Sequence, residues 1–515
     1  MTRRVALFVL LGLLCPWRAG AHIGSPDVFY EGLVGQYPAR ITIRMPGVVP
    51  GRAEIIVQVR SEEAVEVSFA PISSKTAVSN TPPPEAAQAV PGETNFFTGE
   101  LWLMTGGAYS INVRVRGKSG EGAVQIPVNS VAIRQLPLPP WLGGVLLALG
   151  LVLFCAGIAI VAAAAGESVL PPEVLPGNVE RRKHRTAAVV TTIIFVLLLV
   201  GGRKWWNSEE ANFRSRLRGG GWPDLAADVR VKGSQRILRL TIGEKELDRE
   251  ELALAPDHGK LLHLFLVQQP NHDAFAHIHP VRKGKKTFDV ALPSLPEGDY
   301  AVLCDLTLAG GASSTATNTM HIPAIPGPSA ATNSMKTDPD DSWAVDAAAV
   351  RDRTGSDTIC RLPDGDQVIW KAHPALRAQQ DAGLRFEVRD EAGQPASLEP
   401  YMGMMSHAAV LRSDGRVFSH LHPSGNFSMA AQMFFDAKIA REGGAEAICG
   451  PGWNTAGVDL NHSKMSHATQ QSYGARGASE ITLPYEFPTP GDYRLWVQIK
   501  TGGQVRTAIF DTSVL

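Results

Sequence analysis

The sequence predicts a mainly β protein with three immunoglobulin-like β-sandwich modules and two transmembrane α-helices. Short runs of alternating apolar and polar residues, separated by Gly and Pro turns, fill three stretches of the chain. Two longer apolar stretches lie between the first and the second of these, and they have the length of membrane spans. A histidine motif occurs once in the second stretch and once in the third, so these two resemble repeats of one another.

Length and charge limit the function classes. At 515 residues the chain is long enough for three domains beside its membrane segments. It carries 49 basic and 50 acidic residues, for a formal net charge of −1. This balance gives no electrostatic reason to expect a nucleic-acid partner, so we expect none.

The first 21 residues have the layout of a secretory signal peptide. Arg3 and Arg4 precede an apolar run from Val5 to Cys15, and the small residues Ala19-Gly20-Ala21 follow. Cleavage after Ala21 would deliver the following residues to the extracytoplasmic side. Residues 22–136 then show the strand alternation of one sandwich of about a hundred residues.

Two apolar segments, 141–165 and 186–202, predict transmembrane helices. The connection 166–185 ends in five basic-type residues, 181–185, and is therefore expected in the cytoplasm. Trp141 and Trp205 lie where interfacial aromatic residues usually lie. We expect a protein of the bacterial inner (cytoplasmic) membrane with most of its mass in the periplasm.

The rest of the chain predicts two more sandwiches. Residues 225–322 form the second module, and a stretch rich in Pro, Ala, Ser and Asp predicts a flexible linker over 323–341. The third module covers 358–515, with an irregular, Gly-rich and Ala-rich insertion over 438–479.

Three cysteines, Cys304, Cys360 and Cys449, are expected outside the membrane. Three cannot all pair, so at most one disulfide is expected there. Cys360 with Cys449 is one pairing, but the sequence does not choose the partners.

The histidine motif Phe-x-His-x-His-Pro occurs at 275–280 and again at 418–423. Because strand side chains alternate between faces, the two histidines of each motif share a face. An Asp414-Gly415 hairpin turn would pair Leu411 with Phe418, Ala409 with His420 and His407 with His422. The same arrangement in the second module adds His263. The predicted metal ligands are His407, His420 and His422 with Met405 or Met404 as auxiliary ligands, and His263, His277 and His279 as a second site.

Three converging imidazoles suit copper(II) or zinc, and a nearby thioether shifts the preference toward copper(I). Copper is therefore the expected cofactor, with zinc second. The alternative is that the histidines bond to neighbouring carbonyl groups and fix the turns, while the methionines fill space between the sheets.

Signatures of the common hydrolases, zincins and phosphate-binding loops are missing from the sequence, so we expect no enzyme. A metalloenzyme built on the histidine face is a third hypothesis. It would require an open coordination position and a substrate pocket.

The stretch 400–407 followed by the motif at 418–423 resembles the immunoglobulin-like module of YtkA-like envelope proteins, and residues 262–280 are similar to a second copy. That family is similar in architecture to CopC-like copper-resistance sandwiches. The resemblance implies an envelope role in copper or heavy-metal handling. We expect a membrane-anchored periplasmic metal-binding protein that sequesters, delivers or senses copper through these histidines. The alternative function is a non-metal structural scaffold that binds another envelope protein.

Overall fold

The computed structural model describes residues 26–61, 64–133, 136–171, 174–218, 224–233, 235–243, 253–324, 338–345, 352–354, 357–371, 375–442 and 479–515. The predicted signal peptide, 1–21, lies outside them. The chain forms two compact units. One combines Met1–Ala132 with Gly221–Leu515, and the other is Ile133–Gly220.

The first β region has two antiparallel sheets. Its strands are β1 (Val28–Val34), β2 (Tyr37–Arg44), β3 (Gly51–Val59), β4 (Ala64–Ser73), β5 (Glu85–Ala86), β6 (Gln88–Ala89), β7 (Phe96–Leu103), β8 (Gly107–Gly117) and β9 (Gly120–Ser130), with a 3₁₀ turn at Val78–Asn80. The sheet orders are β1-β2-β3-β7-β6 and β5-β4-β8-β9. Alternate residues of β3 are buried, as expected for a strand with one face on a core. Both sheets supply the same apolar core.

The second β region, called the second module below, also has two antiparallel sheets. Its strands are β10 (Leu225–Lys232), β11 (Gln235–Ile242), β12 (Leu254–Ala255), β13 (His263–Gln268), β14 (Phe275–Ile278), β15 (Val281–Arg282), β16 (Thr287–Ala291), β17 (Gly298–Leu308), β18 (Ser313–Ile322) and β19 (Ser342–Ala344). One sheet runs β10-β11-β16-β15 and the other β12-β17-β13-β14-β19, with β18 paired to β17. Their shared core contains Phe288 and Tyr300.

The third β region, the third module, contains β20 (Asp352–Thr354), β21 (Asp357–Arg361), β22 (Gln367–Trp370), β23 (Leu384–Arg389), β24 (His407–Arg412), β25 (Phe418–Leu421), β26 (Glu480–Leu483), β27 (Gly491–Thr501) and β28 (Gln504–Val514). Its sheets run β20-β21-β22-β23-β26 and β25-β24-β27-β28. They enclose a core that includes Phe386 and Phe510. The prediction of a mainly β chain is confirmed.

The second and third modules pack their histidine-bearing sheets against each other. A separate apolar cluster joins Phe265, Phe275 and Leu303 of one module to Phe418 and Trp496 of the other. The rings of Phe275 and Trp496 stack with centroids 4.6 Å apart. Such aromatic contacts combine large apolar burial with a defined geometry, so they fix the relative position of the two modules.

The first region also belongs to this unit. Phe29 of β1 is buried in the core of the third module, and Phe427 of the third module is buried in the core of the first region. Gly425 bridges both Tyr30 and His422, so the turn after β25 lies on β1. A Cβ atom at Gly425 would meet the carbonyl oxygen of Phe29, which explains the glycine.

The other unit contains two helices, α1 (Pro140–Glu167) and α2 (Asn178–Arg218). Both are long and apolar enough to cross a membrane. The rings of Phe154 and Phe195 lie 5.6 Å apart, and a Cβ atom at Gly157 would lie 2.8 Å from the Phe195 ring. The absence of a side chain at Gly157 therefore lets the helices approach closely.

Three predicted boundaries differ from the structure. Helix α2 begins at Asn178, inside the predicted connection 166–185, and extends well beyond 202. Helix α3 (Met429–Glu442) includes the first five residues of the insertion predicted as irregular over 438–479. It buries Phe435 and Ile439 against Ile72 and Val78 of the first region, contacts that no local pattern reveals. The linker predicted as flexible over 323–341 ends in residues that are held by the second module: Lys260 forms ion pairs with Asp338 and Asp340.

Candidate metal centre

The strands place the histidines by their register. In the third module Leu411 pairs with Phe418 and Ala409 with His420, as the Asp414-Gly415 turn predicts. In the second module Phe265 pairs with His277 and Leu264 with Ile278. The histidine strands therefore lie side by side in each module, and their imidazoles share one face.

Each module brings three imidazoles together. The ligand atoms of His263, His277 and His279 lie within 4.8 Å of one another, and so do those of the second set, His407, His420 and His422. Both sets repeat one contact. Nδ1 of His263 is 3.3 Å from Nε2 of His277, and Nδ1 of His407 is 3.2 Å from Nε2 of His420. We call these sets the second-module triad and the third-module triad.

The triads are buried. His277 and His407 are 0% exposed, and the side chain of His420, at 8%, is the most accessible of the six. Burial, reinforced by neighbouring imidazoles, lowers the pKa of four of them well below the ordinary histidine value: His263, His277, His407 and His422. These rings are therefore neutral at physiological pH, which is the form that binds a metal ion.

The two triads form one cluster across the module interface. The ring of His420 lies 5.3 Å from the rings of both His263 and His277, centroid to centroid. It lies 5.4 Å from His407 of its own triad. A seventh histidine, His258, lies 6.3 Å from His263, 5.5 Å from His407 and 4.9 Å from His422. Sequence reasoning gave this residue no role.

In several of these rings, one nitrogen contacts a polar group of a residue outside the triads. Nδ1 of His277 lies 2.8 Å from the amide oxygen of Gln498, and Nδ1 of His420 lies 3.4 Å from Asp305. Nε2 of His263 contacts the carbonyl oxygen of Asp257 at 3.2 Å. Metal-ligating histidines in proteins are oriented in this way, with the second ring nitrogen bonded to a carboxylate, amide or carbonyl group.

Asp341 orients the ring of His279. Its carboxylate lies 2.9 Å from Nδ1 of His279 and also accepts the backbone N–H of His279 at 2.9 Å. His279, Asp338 and Asp341 also meet the geometric condition for a metal group. Because Asp338 is paired with Lys260 and Asp341 with His279, these carboxylates already have cationic or donor partners. We therefore assign Asp341 to orienting His279.

Several ring nitrogens that face the cluster have no hydrogen-bond partner among the described residues. They are Nε2 of His258, Nε2 of His279, Nε2 of His407 and both nitrogens of His422. Leaving a buried polar atom unpaired costs about 1–3 kcal/mol. Such a concentration of unpaired nitrogens is rare in a native core, and a bound cation would satisfy them.

Met404 and Met405, the two predicted auxiliary ligands, lie just before strand β24. Met405 packs against the core between the sheets of the third module, and Met404 is buried in a turn whose backbone pairs with Tyr401. Strand β24 begins at His407, so its alternation does not extend to Met405. Strand alternation therefore does not determine the direction of Met405, and the assignment of Met404 or Met405 as an auxiliary ligand stays a prediction.

Of the predicted disulfide, the described residues include Cys304 and Cys360, both buried and free. Burial raises the pKa of both thiols, so they remain protonated. Cys449 lies outside the described residues.

Comparisons with known proteins add little about function. A sequence-family model described as "Domain of unknown function (DUF8832)" matches residues 361–445 and 457–515, which includes the third-module triad. No curated protein matches the chain. Among solved structures, the chain is similar to dimeric latent PorU from Porphyromonas gingivalis, at 9% identity and a TM-score of 0.15 over 95% of this chain and 34% of that one. A tetra-tandem repeat of a large adhesion protein matches at 8% identity and a TM-score of 0.14, over 91% of this chain and 96% of that one.

A third match is α2-macroglobulin from Salmonella, with 8% identity, a TM-score of 0.18, and coverage of 97% of this chain and 24% of that one. The chain therefore spans about a third of the PorU structure and about a quarter of the macroglobulin. At these TM-scores the likenesses carry no conclusion about fold or function.

Proposed function

We propose that the chain is a membrane-anchored metal-binding protein of the bacterial envelope that sequesters, delivers or senses copper. The observation that carries the proposal is the pair of buried histidine triads, in which Nε2 of His279, Nε2 of His407 and both nitrogens of His422 have no hydrogen-bond partner among the described residues. Outer partners such as Asp341 and Gln498 hold these rings in position before any metal arrives. A set of histidines that served only the fold would be satisfied by its own hydrogen bonds.

Copper is favoured over other metals by the ligand type. Sites made of neutral imidazoles bind Cu²⁺ more tightly than other divalent first-row ions, and imidazole also accepts Cu⁺. Zinc would fit the same triads and is the second candidate. We propose binding in preference to catalysis because the rings lie between two packed sheets, where a substrate would have to displace protein contacts.

Anchoring in the membrane is supported by the order of the units along the chain. Residues on both sides of the helical unit fold into one body, in which Asn129 donates a 2.8 Å hydrogen bond to the carbonyl oxygen of Ser313. Two crossings are an even number, so the segments before and after the helix pair would lie on one side of a membrane. With the basic residues 181–185 in the cytoplasm, the β regions would lie in the periplasm.

We also propose that the β regions are immunoglobulin-like modules of the YtkA-like or CopC-like kind. Each region has two antiparallel sheets around one core, which is compatible with that architecture. CopC-like sites use a histidine at the N-terminus of the same sandwich, whereas the triads here lie on internal strands of two modules. The proposed metal function therefore depends on the triads and is independent of the family resemblance.

The test is calorimetric titration of the purified full chain, in detergent, with copper and with zinc. We expect tight stoichiometric binding that is lost in the triple variant His407→Ala/His420→Ala/His422→Ala. The control is His321→Ala, which removes an exposed histidine paired with Asp299. If the wild type binds neither metal and the triple variant is merely less stable, the histidines serve the fold and the scaffold function takes precedence.

A further inference from the structure

We infer that the two triads and His258 form a single dinuclear metal centre between the second and third modules, in place of two separate sites. This inference rests on the proposed function and deepens it. It concerns how the metal ions are arranged and what they connect. Three independent features of the interface support it.

The first feature is the spacing of the rings. His420 belongs to the third-module triad by sequence, yet it is as close to His263 and His277, at 5.3 Å each, as to His407, at 5.4 Å. His277 and His407 lie 6.4 Å apart. Two ions bound to these triads would therefore share one ring-lined space, which the Phe265 ring borders at 4.9 Å from His420 and 4.2 Å from His277.

The second feature is that each module orients a histidine of the other. Gln498, on β27 of the third module, holds Nδ1 of His277 in the second. Asp305, on β17 of the second module, faces Nδ1 of His420 in the third. Neither ring is held in position in this way when its module is alone. Two self-contained sites would have their orienting partners within their own modules.

The third feature is His258, whose ring lies between the triads and whose Nε2 has no hydrogen-bond partner among the described residues. Its backbone has a φ of +50°, in the left-handed region that non-glycine residues seldom adopt. Such strain is usually retained where the position of the side chain matters. His258 is therefore a further ligand of the centre, placed between the two triads.

The charges around the cluster suit more than one cation. An imidazole ligand brings no negative charge, so two buried ions would need nearby anions. Three carboxylates flank the rings: Asp305 beside His420, Asp341 beside His279, and Asp257, which lies 3.9 Å from Nε2 of His258. They are distributed around both triads, as a dinuclear centre requires.

The experiment uses the full chain in detergent, loaded with Cu²⁺ and kept oxidised. Copper content and the electron paramagnetic resonance spectrum are measured on the same sample. A dinuclear centre should bind two copper ions per chain and give a spectrum that is broadened by dipolar coupling and shows a half-field transition, because the two Cu²⁺ spins are close neighbours. His420→Gln should weaken both equivalents by roughly tenfold or more, since one ring borders both ions. The control His321→Gln should change neither measurement.

Two separate sites would give the unbroadened spectrum of isolated Cu²⁺ without a half-field transition, and His420→Gln would remove one equivalent and leave the other unchanged. That result overturns the inference and leaves the proposed function standing. Failure of the wild type to bind copper overturns both. His258→Gln, which leaves both triads intact, guards against misfolding of the His420 variant: a folded His258→Gln protein with unchanged affinity for both equivalents also overturns the inference.

Discussion

The amide oxygen of Gln498 lies 2.8 Å from Nδ1 of His277, although 221 residues separate them along the chain. Gln498 is fully buried and also contacts Ser342 of the second module. One glutamine of the third module is thus bonded at two points to its neighbour. Its loss should affect both the orientation of His277 and the fit of the modules.

We predict that Gln498→Leu weakens copper binding by about 10–100-fold, the usual cost of removing a group that orients a ligand. Leucine retains the volume but cannot accept the hydrogen bond of the ring. Calorimetric titration of the full chain measures the change. Gln432→Leu is the matched control, because Gln432 bonds to the carbonyl oxygen of Gln125, away from the histidines. Equal affinities for the wild type and Gln498→Leu would contradict the assigned role.

A second prediction concerns Asp341. Asp341→Asn should lower copper affinity by about 10–100-fold because the amide cannot stabilise the His279 ring as a carboxylate does. The chain contains a comparable pair at its surface, His321 with Asp299 at 2.8 Å. Asp299→Asn should leave copper affinity unchanged in the same titration. If both substitutions have the same effect, Asp341 acts only through general stability or charge.

The third prediction is a pH dependence of the metal-free fold. Burial lowers the pKa of His263, His277, His407 and His422 below the ordinary value of 6.5. Above pH 6.5 these rings are neutral in both the folded and the unfolded chain, so they add no pH dependence. Below pH 6.5 these rings bind protons in the unfolded chain but stay neutral in the folded chain. The free energy of unfolding therefore falls by up to about 1.4 kcal/mol per pH unit for each ring.

Thermal unfolding of the metal-free full chain between pH 7.5 and 5 checks this. The midpoint should fall steeply below pH 6.5 in the wild type and in the His321→Gln control. It should fall less in a variant whose third-module triad is replaced by glutamine. A midpoint that is constant across this range would show that the rings accept protons freely in the folded chain.

The fourth prediction concerns the helix pair. Gly157→Leu should separate α1 from α2 because its side chain would occupy the place of the Phe195 ring. Gly150→Leu is the control in the same helix, since a Cβ atom there meets nothing within 4 Å among the described residues. Oxidative cross-linking of Gly166→Cys with His184→Cys, in a Cys155→Ser background, reports the approach of the helices while Phe195 stays in place, because a Cβ atom at Gly166 would lie 3.0 Å from the Cβ atom of His184. Equal yields in the two leucine variants would contradict the close approach at Gly157.

Sequence patterns predicted what depends on neighbouring residues. The Asp414-Gly415 turn fixes the register of β24 and β25, so the pairing of Ala409 with His420 followed from a short stretch of chain. The alternation of side chains then predicted that the histidines of each module share a face. The mainly β class and the two apolar helices followed from equally local periodicities.

What the sequence did not predict depends on packing between distant segments. No periodicity signals that the histidine faces of the two modules meet, because that contact is made by Phe275, Trp496 and their neighbours. His258 lies in a turn without strand alternation, and its part in the cluster appears only when His263 and His422 surround it. The direction of Met405 does not follow from strand alternation, because the strand begins two residues after it.

The division of the histidine cluster between two modules also has a consequence for biosynthesis. The ribosome completes the second-module triad long before His407, His420 and His422 are translated, so a chain that ends before His407 possesses four of the seven imidazoles. Gln498, which fixes His277, follows all seven. The complete cluster therefore exists only after residue 498 has been translated, and a metal ion that requires all of it would distinguish such chains from shorter fragments.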